Sequence, residues 1–126
     1  MNKLSKARIW TGWIISALPA LLLFSGAINA FRGASFVLEG TRHLGYPDSA
    51  VTTIGVLELV CSVLYMIPQT SAVGAVLLTG YFGGATASHV RVGEAPYAAI
   101  IAGVVVWLGL FLRDARLQAF FAKEKL

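Results

Sequence analysis

The chain predicts an all-α fold, an integral membrane four-helix bundle, and three observations point there. Its 126 residues are 57% hydrophobic and only 13% charged, about half the roughly 25% charge of soluble domains. Mean hydropathy is +0.75. A small water-soluble globule exposes too much surface for that many apolar side chains; a bilayer removes the difficulty. The second observation is four apolar runs separated by breakers. The third is the placement of Lys and Arg at the two ends and in the loops. The net charge of +4 and pI near 9.6 therefore do not indicate nucleic acid. No basic stripe among stacking aromatics is present, so nucleic acid is excluded as a partner.

The first run covers about residues 9–30 and follows Lys3, Lys6 and Arg8. It exceeds the roughly 7 to 15 apolar residues of a signal-peptide core and reads as a span, not a cleaved leader. The loop "FRGASFVLEGTRHLGYPDSA" comes next. Ala34, Val37 and Leu38 recur at helical spacing, and Gly45 then Pro47 end a short interfacial helix. Asp48 or Ser49 is expected to cap the second span, about 51–67. The third run is about 72–90 and the fourth about 95–112. Each approaches the roughly 20 residues of a spanning helix. In lipid every backbone amide needs an internal partner, which favours helices. The tail, 113–126, carries Leu117, Phe120 and Phe121 on one face with Arg116 and Lys123 elsewhere, as in an amphipathic helix lying on anionic lipid.

Lys3, Lys6, Arg8, Arg113, Arg116, Lys123 and Lys125 fall on one side of a four-span chain, against Arg32, Arg42 and Arg91 on the other. The positive-inside rule then puts both termini in the cytoplasm. Trp10 and Trp13 fit the inner aromatic belt. Cys61 is the sole cysteine, so no disulfide or C-x-x-C chemistry is available within the chain.

"GVLELVCSVLYMIP", residues 55–68, sets Glu58 among apolar neighbours. On a helix Glu58 shares a face with Gly55, Cys61, Ser62 and Tyr65, opposite Val56, Val60, Val63 and Ile67. That small and polar stripe points inward, toward another helix. Gly80, Gly84 and Ser88, with Gly83 and Ala87, offer a small-xxx-small surface on the third span for close packing. Glu58 lies about 10 Å below the outer surface, two helical turns. Asn29, Arg42, His43, His89, Arg91 and Glu94 gather toward that outer mouth, while the inner half is apolar apart from hydroxyls. A carboxylate at mid-membrane costs roughly 2.5 to 3.5 kcal/mol. Glu58 is therefore expected to be protonated and donating, or paired with Arg91 or protonated His89.

Glu58, His89, Arg91 and Asn29 are the candidate ligand-binding or proton-handling residues; Gly55, Gly80, Gly83, Gly84 and Ser88 are the candidate packing residues. Structural glue is the competing role for Glu58, a water-facing interfacial position for His89, and snorkelling for Arg91. Trp107 and Tyr81 offer faces for a planar ligand or for core packing. No metal-ligand spacing, phosphate-binding loop, dinucleotide fingerprint or nucleophile elbow is present, two outer histidines do not suit a haem across the helices, and no catalytic set is assigned.

"HLGYP" (43–47), "GVLEL" (55–59), Pro68, "GAVLLTGYFGGATASHVRVG" (74–93) and "LGLFLRD" (108–114) together resemble the DoxX-like family of small bacterial four-helix membrane proteins. The resemblance implies a multi-pass protein of the bacterial inner membrane. It also implies association with redox assemblies, since the family name comes from a membrane subunit associated with thiosulfate:quinone oxidoreductase. Glu58, His89 and Arg91 match recurring positions of that family. Three functions compete: a redox-associated subunit binding a quinone or similar amphiphile in an outward-facing pocket, a non-enzymatic scaffold or assembly partner, and a small transporter. Other membrane or redox subunits, or a second copy of the chain, are the expected partners beside the bilayer.

Overall fold

Ser5 opens the first helix by accepting the Arg8 N–H at 3.1 Å, which satisfies one of the amides that a helix start leaves free. α1 then runs unbroken over Lys6–Phe31. The computed structural model describes residues 4–124, and side chains to 122; Lys3, Lys125 and the Lys123 side chain, named above for orientation, lie outside the described residues. Buried Pro19 sits inside α1, where it supplies no amide to the helix ladder.

After Gly33, α2 covers Ser35–His43 and buries none of its side chains. Gly45 ends it at φ +90°, a conformation costly for residues with a Cβ. Arg42 closes the turn with two 2.7 Å bonds to the Asp48 carboxylate. The expected side-chain cap on the next helix is therefore corrected. Asp48 is occupied by Arg42, and Ser49 makes no capping bond. The carbonyls of Pro47 and Asp48 accept the first amides instead.

α3 (Ala50–Met66), α4 (Ser71–Arg91) and α5 (Tyr97–Arg113) follow the apolar runs to within a turn. α1 packs on α3 and α5, and α4 packs on the same two helices, so the four long helices close a ring. Tyr65, Leu78, Val106 and Leu110 fill its centre. α6 (Ala115–Glu124) turns off α5 by 92° after Asp114. Its expected apolar face divides: Leu117 packs on the core, Phe121 meets Phe111 edge-on, and Phe120 stays exposed. No strand occurs among the described residues.

The outside of the ring is far more apolar than the surface of a water-soluble protein, and a few polar side chains are buried within it. Ser16, Glu58, Ser62, Ser71 and Ser88 are buried, whereas Trp10, Leu18, Leu21, Val76 and Val104 are more than half exposed. Threonine hydroxyls on α4 donate back to their own helix, Thr79 to Ala75 O and Thr86 to Phe82 O. By length and composition α1 alone is a span candidate. The bent α5–α6 pair becomes a second if taken as one, and α3 is apolar but shorter.

Among the described residues the glycines of the α4 pattern pack against nothing. A Cβ on Gly80, Gly83 or Gly84 would meet no atom within 4 Å. α4 instead turns Gly74, Ala75, Leu78 and Phe82 inward. The periodicity identified close-packing residues, but the ring buries the neighbouring face of the helix.

Candidate functional site

Glu58 is 9% exposed on the inner face of α3, with Gly55, Cys61, Ser62 and Tyr65 buried beside it. Its carboxyl lies against Gly26 of α1, where any Cβ would collide with Oε2. The Tyr81 hydroxyl of α4 lies near it. Glu58 thus stands where three helices meet. Gly55 supplies the close approach of α3 to α1, its backbone facing Ala30 and Phe31. Ser88, also buried, donates to the Gly84 carbonyl at 2.9 Å and stands 2.7 Å from the Tyr46 hydroxyl, tying the α2–α3 connection to α4.

The cations expected at Glu58 are elsewhere. Arg91 donates to the Leu44 carbonyl. His89 Nδ1 is 3.0 Å from Glu94 Oε2, and His43 engages the other oxygen of the same carboxylate. Asn29 is turned onto its own helix, donating to Ser25 O and accepting from Arg32. No ion pair to Glu58 occurs among the described residues. The cluster expected at the outer mouth is therefore a brace between α2, α4 and the α4–α5 loop, separate from Glu58. Among the described residues no three His, Cys, Asp or Glu side chains are grouped to hold a metal ion.

That brace carries a pH prediction. His89 and His43 hydrogen-bond to Glu94 and hold its carboxyl below the usual carboxylate range. A lowered folded-state pKa contributes stability that is complete above the ordinary value and lost as pH falls through the folded one. Spin labels on α2 and α4 are expected to move apart on acidification through that range. In Glu94→Gln the distance is already widened at neutral pH and then insensitive. A wild type with an unchanging distance overturns the brace.

The inner end holds what sequence reasoning missed. Arg113, expected as a solvent-facing orienting charge, turns into the ring. Nε donates to Ser16 Oγ at 2.9 Å, Nη1 to Ser71 Oγ at 3.1 Å, and Nη2 to the Tyr65 carbonyl at 2.7 Å. Trp13 and Tyr65 rings cover the guanidinium at 4.1 and 4.8 Å. The Tyr65 hydroxyl donates to Val106 O at 2.6 Å and lies 3.0 Å from Ser16 Oγ. The inner half, expected to be apolar apart from hydroxyls, gathers its Ser16, Ser71 and Tyr65 hydroxyls with Arg113 into one cluster drawn from α1, α3, α4 and α5. Its signal was Ser16, alone in "WIISALPALLL" as Glu58 is alone in its own run.

Two apolar grooves open on the outside of the ring. One, about 660 Å³, runs between α4 and α5 past Thr79, Phe82, Gly103 and Trp107, with α6 at its end. Trp107 donates to Thr79 Oγ1 at 2.7 Å and presents its ring to that groove. The other, about 440 Å³, lies between α1 and α3 beside Ser62. Glu58 is in the wall of neither.

Compared with known proteins, residues 14–112 match the family model described as the DoxX-like family. Neither the curated proteins nor the solved structures return a match.

Proposed function

Because the chain belongs to the DoxX-like family, which points to a membrane protein, we propose that it is a four-span protein of the bacterial cytoplasmic membrane, termini inside, acting as a redox-associated subunit that holds a quinone or similar amphiphile. The observation that carries the reading is the Glu58 carboxyl, buried where α1, α3 and α4 meet, without a cation and beside a phenol. Intramembrane carboxyls are expensive and are retained for function by default. A carboxyl and a phenol side by side are suited to passing a proton to a reduced carbonyl oxygen.

The outward apolar surface supports the spans. At 1.5 Å per residue, 17-residue α3 and α5 reach about 26 Å and 21-residue α4 about 32 Å. These lengths bracket a hydrocarbon core of about 30 Å, with thinning or flanking residues covering the shortfall. Basic residues at both ends favour the inside orientation.

The test is mass spectrometry of small molecules extracted from purified protein, wild type beside Glu58→Gln. A quinone is expected with the wild type and missing from the mutant at unchanged monodispersity. No ligand in either sample rejects the redox reading. The scaffold reading has one observation in its favour, the exposed Gly80, Gly83 and Gly84 face. On that reading Gly84→Leu breaks a co-purifying complex while Glu58→Gln does not.

A further inference from the structure

At the inner end of the ring, a hollow of about 320 Å³ is lined by Trp13, Pro68, Ser71, Arg113, Asp114 and Arg116. It opens where the α3–α4 turn faces the break between α5 and α6. Three chains of contact bring the cations there. Gly12 lets α1 approach the Arg113 backbone, at 2.8 Å from where a Cβ would stand. The acceptors Ser16, Ser71 and Tyr65 O hold the guanidinium in place. Arg116 donates to the Pro68 carbonyl at 3.0 Å and so spans the mouth.

The charges do not balance. Every acceptor of Arg113 is neutral, and no carboxylate among the described residues pairs with it. Asp114 is the acidic group in the wall. Burial works against its charge, but Arg116 hydrogen bonds prevail and hold its carboxyl below the ordinary value. Both of its oxygens accept from Arg116, Oδ1 from N and Nε and Oδ2 from Nη2. With Asp114 and Arg116 matched, the charge of Arg113 remains.

Arg113 uses one N–H on each of its nitrogens. A guanidinium carries five, so two remain. A planar fork with free donors, beside a second arginine in a hollow, suits an oxyanion such as a phosphate group. Arg113 lies one position beyond the stretch that matches the family.

We propose that this hollow binds a phosphate-bearing anion, held by Arg113 and Arg116 and shielded on one side by Trp13. On the membrane reading above, the hollow sits at headgroup depth on the positive side, and the headgroup of an anionic phospholipid is one source of the phosphate. A soluble phosphate is the other.

The experiment uses the full chain in neutral detergent, with native mass spectrometry against phosphatidylglycerol and phosphatidylcholine at equal concentration. Thermal unfolding with and without inorganic phosphate runs beside it. Preferential retention of phosphatidylglycerol, undisturbed by inorganic phosphate, assigns the lipid source. Stabilisation by inorganic phosphate with no lipid preference assigns the soluble one. Arg116→Ala is exposed, leaves the Arg113 clamp intact, and is expected to lower the binding about fivefold. Asp114→Asn is expected to raise it, because it removes the opposing charge. A structural clamp predicts neither change. No lipid preference and no phosphate effect in the wild type, or identical binding in all three proteins, overturns the proposal. Quinone content reads out Glu58 and leaves this result untouched, so the two readings fail separately.

Discussion

Gly74→Val is expected to keep α3 and α4 from closing against each other. A Cβ on Gly74 would stand 2.5 Å from the Tyr65 Cα and 2.8 Å from the Leu64 carbonyl carbon. Those are backbone atoms, so no rotamer change relieves the contact and the helices must separate. The turn between them leaves little slack. Thr70 Oγ1 donates to Leu64 O at 2.7 Å, and Ser71 Oγ to Ile67 O at 2.8 Å. Separation also withdraws Tyr65 from Val106 and Ser16, and its carbonyl from Arg113. Overpacking of this kind costs about 1–3 kcal/mol for side-chain clashes, and a backbone clash belongs at or above the upper end. Thermal unfolding of monodisperse protein in detergent measures it. Gly80→Ala and Gly84→Ala are the controls. Both positions face open space, and removing a mid-helix glycine is worth up to about 1 kcal/mol. These variants should melt at or above wild type. Wild-type melting of Gly74→Val would mean that α3 and α4 do not meet at this point.

The second large effect is Arg113→Ala. It removes three hydrogen bonds from a charged donor and two aromatic contacts at once. It also leaves the Ser71 hydroxyl and the Tyr65 carbonyl without the donor that serves them. Hydrogen bonds to charged groups contribute roughly 1.5–3 kcal/mol each. Because the three share one side chain, about 3 kcal/mol is expected in total. Arg113→Lys keeps the charge but loses the fork and the flat stacking surface, so it should recover less than half of the loss. The measurement is again thermal or denaturant unfolding, with tryptophan emission reporting whether Trp13 becomes wetted. If Arg113→Lys equals wild type, the fork geometry is irrelevant. If Arg113→Ala does, the inner cluster contributes nothing to stability.

Position along a helix was legible where one helix settles the matter. The stripe of Gly55, Glu58, Cys61, Ser62 and Tyr65 follows from 3.6 residues per turn, and those residues are buried together with Val51. The short helix before Gly45 was legible for the same local reason. Which small-residue face of α4 meets its neighbour was not, because Gly74 with Ala75 and Gly80 with Gly84 both present small residues and only the ring selects the first. The partners of Glu58 were not legible either. His89 and Arg91 are near it along the chain's predicted depth, but Glu94 and the Leu44 carbonyl lie nearer to them in space. Arg113 reads as a terminal charge by itself, and its role requires four helices to converge.

By itself the sequence determined the helical class, the family, and the inward face of α3, since composition, ordered motifs and helical period are properties of local sequence. Tertiary structure alone decided that Glu58 meets Gly26 and Tyr81, that the histidines brace Glu94, and that Arg113 anchors the inner end. Those are contacts between residues up to 97 positions apart, and loop geometry and ring closure, not periodicity, bring them together.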